Sequence, residues 1–320
     1  MQSRHFENID SEGVNLKTLV EGEGPLVILL HGFPQCWYLW RNQIDAIAES
    51  GYQVAVPDQR GYGESDAPED ITDYDILHLT SDVKNIAEKL GHQRFTVIGH
   101  DWGAAVAWNT ALLHEDAVQA VAGLSVPYVR FERPEILTKQ EYWGDRFWYM
   151  AYFQKPGVAE LELESDIRRT LELIYFWFSG DADRSVSFEK TKESGLLEGL
   201  GDAVFPTSWL TKDDLDYYCR SFQHNGFRGP LNWYRNIERN IQETPGLRNK
   251  VVSQPAMFLA GSQDPVLAMP VGAAIDSMNR WVPNLQTNEI IKGPGHWLPM
   301  EAPTAVTEKI LAFLKQTSGG

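Results

Sequence analysis

Short, nearly unbroken apolar runs that stop at glycine, proline or aspartate most constrain what this chain can fold into. Leu26-Val27-Ile28-Leu29-Leu30 stops at His31-Gly32, Gln53-Val54-Ala55-Val56 at Pro57-Asp58, and Phe95-Thr96-Val97-Ile98 at Gly99. A strand with one wet face alternates polar and apolar residues; runs that are apolar on both faces suit parallel strands covered by helices on each side. Between the last two runs, residues 74 to 90 place Ile76, Leu79, Val83, Ile86 and Leu90 at three- and four-residue intervals, the spacing of a helix with one buried stripe. A second helix is expected over 104 to 114 and a further strand over 118 to 126. Such alternation implies an α/β chain with a doubly wound sheet and right-handed crossovers.

The rhythm breaks near Pro134. From there to about Thr244 the chain reads as helices rich in aromatic residues, and strand patterns return at 256–260 and 288–291. A last helix is expected over 303 to 315, with Val306, Ile310, Leu311, Phe313 and Leu314 inward. We therefore expect a core of 1–133 and 246–320 interrupted by a helical cap over 134–245, a division that 320 residues can support. A net charge of −16 argues against a nucleic-acid partner, because phosphates would be repelled. No apolar run reaches the roughly 18 residues that a membrane span needs. The first residues carry no apolar segment of a secretory signal, so a cytoplasmic protein is the default expectation. Cys36 and Cys219 read as buried or half-buried thiols, since a chain of this size needs no disulfide. With no metal-ligand spacing and no nucleotide fingerprint, no metal or other cofactor is expected.

Chemistry enters at Gly99-His100-Asp101-Trp102-Gly103, which lies between a strand and a helix and has the small-x-nucleophile-x-small form of a nucleophile elbow. The turn is tight, and side chains at the glycines would collide with the neighbouring elements. The helix that follows favours an anion at its start, though an ordinary N-cap is also a common use for aspartate there. Having Asp101 rather than serine decides the reaction type. A carboxylate is a poor nucleophile for amides but a competent one for a strained or activated saturated carbon, and its product is an alkyl ester of the enzyme itself.

Two partners follow in the order this elbow requires. Asp264, in Gly261-Ser262-Gln263-Asp264-Pro265, follows a strand and can orient a histidine; an aspartate before proline is also a frequent turn residue. His296, in Gly293-Pro294-Gly295-His296-Trp297, follows the last strand and is the candidate base for activating water. In folds built on this elbow the loop after the third strand, here His31-Gly32-Phe33-Pro34, supplies one oxyanion-hole N–H, and the residue after the nucleophile supplies another. We assign these to Phe33 and Trp102. His31, Pro34, Tyr152 and Trp297 are expected around the substrate pocket, His31 as a hydrogen-bonder rather than a second base.

Together these residues resemble the epoxide hydrolases of the α/β-hydrolase family over nearly the whole chain. The loop Asp58-Gln59-Arg60-Gly61-Tyr62-Gly63-Glu64-Ser65 is similar to that family's Asp-x-Arg-Gly-x-Gly-x-Ser. The segments Tyr149-Met150-Ala151-Tyr152-Phe153-Gln154-Lys155-Pro156-Gly157 and Gly226-Phe227-Arg228-Gly229-Pro230-Leu231-Asn232-Trp233-Tyr234-Arg235-Asn236 resemble the cap of soluble members. The resemblance implies an α/β-hydrolase fold, with a mostly parallel eight-stranded sheet flanked by helices and an inserted helical cap. It also implies conversion of a small epoxide to a vicinal diol, with no cofactor. By the same similarity Tyr149 and Tyr234 bind the epoxide oxygen, with Tyr152 the alternative to Tyr149. Two phenols have a plain use there, because ring opening produces an alkoxide that needs a proton. The aromatic cap residues Trp143, Trp148, Phe176 and Trp177 suggest an apolar substrate.

Haloalkane and haloacid dehalogenases share the Asp nucleophile. Haloalkane enzymes usually carry an Asn where this chain has Phe33, and fluoroacetate enzymes an Arg after the nucleophile, where this chain has Trp102. A non-catalytic receptor on the same fold would not need the full Asp101, Asp264 and His296 set. The sequence leaves monomer and homodimer equally open.

Overall fold

In the computed structural model, which describes residues 4–129, 133–183 and 190–317, eight strands form one sheet. They are β1 (Phe6–Ser11), β2 (Val14–Glu21), β3 (Leu26–Leu30), β4 (Gln53–Pro57), β5 (Phe95–His100), β6 (Val118–Leu124), β7 (Ala256–Gly261) and β8 (Leu285–Ile291). Their order across the sheet is β1-β2-β4-β3-β5-β6-β7-β8, and β2 alone runs against the rest. The apolar runs form its centre: every residue of β3, β5 and β7 is buried. The edge strands alternate instead. β8 keeps only every second residue half-buried, and β1 meets β2 through a two-residue turn. At that turn Glu12 and Gly13 both take positive φ, 54° and 86°, the backbone twist that a tight hairpin prefers.

Helices Ile76–Lys89 and Trp102–Leu113 cover the sheet, as does Pro303–Thr317 at the end of the chain. Ile76, Leu79, Val83 and Ile86 are buried on the first, as their spacing requires, and Asp75 caps it by accepting the His78 N–H. Between β6 and β7 the described residues hold helices and no strand of the sheet, including Val158–Ser165, Ile167–Phe178, Lys212–Asn225 and Arg228–Arg235. No described helix is long and apolar enough to cross a membrane.

This helical insertion sits on the core through named contacts. The buried Tyr175 hydroxyl donates to the Pro34 carbonyl (2.7 Å), and the Trp233 indole donates to the Arg60 carbonyl (3.2 Å). Gly229 and Gly61 meet backbone to backbone: a Cβ on Gly229 would stand 2.7 Å from the Gly61 Cα. The loop that presents Gly61 is itself tied down, since the buried Asp58 carboxylate accepts the Trp37 and Glu64 N–H groups at 2.9 and 3.0 Å. These bonds give the loop a structural role. Cys36 and Cys219 are both free thiols and both buried.

Candidate active site

Asp101, Asp264 and His296 all lie beyond the carboxyl end of a parallel strand, where α/β sheets bind ligands. Asp101 follows β5, Asp264 follows β7 and His296 follows β8, while Phe33 belongs to the loop after β3. Asp101 takes φ 53° and ψ −122°, a backbone conformation that costs a non-glycine residue about 1–3 kcal/mol and persists only where surroundings enforce it. The surroundings are close. A Cβ on Gly99 would run into the Gly103 carbonyl, and one on Gly103 into the carbonyls of Leu30 and His31. A Cβ on Gly32 would strike the Asp101 carboxylate.

Asp101 stands at the N-cap position of helix Trp102–Leu113, but its side chain makes no capping bond. Its Oδ1 accepts the Phe33 N–H at 2.8 Å, and the neighbouring Trp102 backbone N–H helps to hold the carboxyl down. Oδ2 lies 3.5 Å from His296 Nε2. On the other side of the imidazole, Nδ1 is 3.1 Å from both oxygens of Asp264. Asp264 also accepts the Val266 N–H at 2.9 Å, so it is a turn residue and a histidine partner at once.

Burial opposes charge at His296, yet Asp264 and Asp101 together outweigh it and raise the imidazole to about 10. Burial likewise pushes Asp101 up, and the His296 side chain more than offsets this, holding the carboxyl below its ordinary range. The resting pair is therefore imidazolium and carboxylate. Burial drives Tyr149 and Tyr234 upward, with the Asp101 charge adding to it, so both phenols keep their protons.

Asp101, Trp102, Tyr149 and Tyr234 share the wall of one cavity of about 750 Å³. The Tyr149 and Tyr234 rings lie 6.0 Å apart, and Trp102 meets Tyr234 edge-on at 5.0 Å. Apolar walls come from Leu112, Val126, Leu137, Met150, Ile237 and Val266. The exposed Arg248 and Arg280 are also part of its lining.

The four residues expected around the pocket do not line it. Tyr152 turns away and donates to Glu162 Oε2 at 2.9 Å, which leaves Tyr149 beside Tyr234. His31 is buried as a strut: its Nε2 accepts the Gln59 N–H at 3.0 Å, and burial lowers its pKa to about 4. Pro34 gives its carbonyl to Tyr175, and Trp297 spends its indole N–H on the Tyr175 carbonyl (2.6 Å). The aromatic cap residues are likewise elsewhere. Trp143 stacks on Trp148 at 4.0 Å, Phe176 meets Trp177 edge-on at 5.2 Å, and none of the four lines the cavity. Sequence reasoning passed over His100 and Ser125, whose Nε2 and Oγ lie 2.7 and 3.1 Å from the His296 carbonyl and steady the backbone of that residue. His100 sits inside the elbow motif, the one signal that pointed to it.

Residues 25–303 match the model of the α/β hydrolase fold family. Epoxide hydrolase A of Mycobacterium tuberculosis is 40% identical over 311 residues, covering 96% of each chain. The chain belongs to the epoxide hydrolases of the α/β-hydrolase family. Other epoxide hydrolases agree in sequence and shape. Bifunctional epoxide hydrolase 2 of Rattus norvegicus is 35% identical over 95% of this chain, which spans 54% of that longer protein. The crystal structure of epoxide hydrolase A from Mycobacterium thermoresistibile superimposes with a TM-score of 0.91 at 39% identity, covering 98% of both chains.

Proposed function

We propose that this chain hydrolyses a small epoxide to a vicinal diol through an alkyl ester on Asp101, beneath a cap formed by 134–245. One observation carries the reading: two protonated phenols share the cavity wall with a carboxylate whose Oδ1 is already held by the Phe33 N–H. In the first step Asp101 Oδ2 attacks a ring carbon. The C–O bond of the ring breaks with its electron pair moving to oxygen, and Tyr149 or Tyr234 protonates that oxygen. The His296 imidazolium supplies in net the proton that restores the phenol, and with the Asp101 charge gone it rests neutral.

In the second step His296 Nε2 takes a proton from water, whose oxygen adds to the ester carbon. The negative charge on Oδ1 then faces the Phe33 N–H, already in place, with the Trp102 N–H as the second donor, which is the arrangement that stabilises such an intermediate. Collapse releases the diol oxygen with a proton, and the resting imidazolium–carboxylate pair returns. Asp264 orients the imidazole and stabilises its charge. The apolar walls beside Asp101 favour an apolar substrate.

A dehalogenase reading fits less well. Tyr234 packs edge-on against the Trp102 indole that a halide site would use, and Phe33 supplies no side-chain donor. Diol formation measured against a panel of aryl and alkyl epoxides and matched haloalkanes tests the proposal. Turnover of epoxides supports it; halide release without diol formation would overturn it.

A further inference from the structure

The loop that carries His296 is held by a carboxylate outside the site just described. Glu301 Oε1 accepts the Trp297 N–H at 2.9 Å. Its Oε2 accepts the Gly295 N–H and the Gly180 N–H, each at 2.8 Å. The amides on both sides of His296 thus end on one side chain, while the N–H of His296 itself donates to the Phe178 carbonyl at 2.8 Å.

Phe178 ends helix Ile167–Phe178 of the insertion, so the end of a cap helix lies directly against the base loop. The two backbones touch. A Cβ on Gly180 would collide with the Gly293 carbonyl, and one on Gly295 with the backbone of Phe178 to Gly180. Capping of the short helix Leu298–Glu301 would explain only the Trp297 bond. It leaves unexplained why the second oxygen spans to Gly295 and, 121 residues away in sequence, to Gly180. Among the described residues no cation pairs with Glu301. Its partners are these three amides.

We propose that Glu301 is a positioning residue for His296, clamping the base loop to the end of the cap helix so that Nε2 stays in reach of the water that cleaves the Asp101 ester. The inference rests on the alkyl-ester reading. It bears mainly on the second step, where His296 Nε2 itself takes the proton from water, whereas the phenol Tyr234 that meets the substrate oxygen first is anchored elsewhere. Gln154 Nε2 donates to the Tyr234 carbonyl at 3.1 Å and Trp233 is fixed to Arg60, with neither bond passing through Gly180.

The test is Glu301→Gln, whose amide turns a donor toward N–H groups that need an acceptor. With styrene oxide, rapid quench and intact-protein mass give the rates of adduct formation and decay separately. Formation should stay within about threefold of wild type, while decay should slow roughly ten- to hundredfold, the scale of a small misplacement of a reacting group. The adduct then dominates at steady state. Equal slowing of both steps, or of neither, overturns the inference. Gly180→Ala disturbs the same joint from the cap side and carries the same test if Glu301→Gln does not fold; loss of folding in both variants would show a purely structural role and also overturn it. Wild type run alongside separates the two ideas, since absence of any wild-type adduct would sink the ester reading itself.

Discussion

Replacing Asp264 by Asn isolates what one buried charge does for the second step. His296 Nδ1 stands 3.1 Å from both Asp264 oxygens, so at an effective dielectric of 20 the imidazolium–carboxylate attraction is about 5 kcal/mol. At about 1.4 kcal/mol per decade, loss of all of it would slow formation of the imidazolium in the transition state by between three and four decades. Geometry makes the loss worse. An Asn that keeps the Val266 N–H bond now made by Oδ1 brings its NH2 to the other oxygen's place, also 3.1 Å from Nδ1, which favours the tautomer with a bare Nδ1 and a protonated Nε2. That tautomer cannot take a proton from water. We expect ester hydrolysis to slow roughly 10³- to 10⁴-fold and alkylation by less than about tenfold, because Asp101 keeps its charge and the Phe33 N–H. Mixing the variant with excess epoxide and following intact mass should show the alkyl-enzyme accumulating to nearly one equivalent. Hydrolysis within tenfold of wild type, or alkylation slowed as much as hydrolysis, would refute the reasoning.

The phenols give a complementary set. Tyr234→Phe and Tyr149→Phe should each slow alkylation by roughly 10- to 100-fold and leave ester hydrolysis little changed, with the double variant far slower, while Tyr152→Phe should alkylate within about twofold of wild type. Pre-steady-state rates of adduct formation decide this, and a normal rate in Tyr234→Phe would remove that phenol from the site. The pH dependence of the two steps should differ. In the free enzyme His296 stays charged up to about pH 10 and Asp101 is ionised from below its ordinary range, so alkylation should be level across neutral pH. Esterification removes the Asp101 charge, one of the groups that raise His296. Hydrolysis should therefore rise with pH and level off below 10, and single-turnover decay rates that still climb at pH 10 would contradict this.

How much of this was legible in the sequence depends on whether the signal was local. The buried strands announce themselves because Leu26 to Leu30 carry no polar group, and the elbow because Gly99, Gly103 and Asp101 stand in a spacing that few other structures need. The β1–β2 hairpin is quieter, since its alternating residues resemble any half-exposed segment and only Glu12-Gly13 marks the turn. Asp264 and His296 were found by their places after strands. Pocket walls were not legible. Tyr149 and Tyr152 are three residues apart in the same short helix, and which one faces Asp101 depends on Glu162 offering Tyr152 another partner. His31, Pro34 and Trp297 adjoin the site in sequence, yet His31 and Trp297 each bond a backbone group behind it and the Pro34 carbonyl accepts the Tyr175 hydroxyl. The apolar lining comes from residues as far apart as Leu112 and Val266, which no sequence period connects. Glu301 escaped for the same reason, as its partner Gly180 lies across the fold.

A single turnover in heavy-oxygen water, with enzyme in excess over epoxide, tests the covalent ester most directly. The label should appear in the peptide containing Asp101 and be absent from the first diol released, whose new oxygen comes from the carboxylate. Label in that diol, with none at Asp101, would mean that water attacks the epoxide itself and that no ester forms.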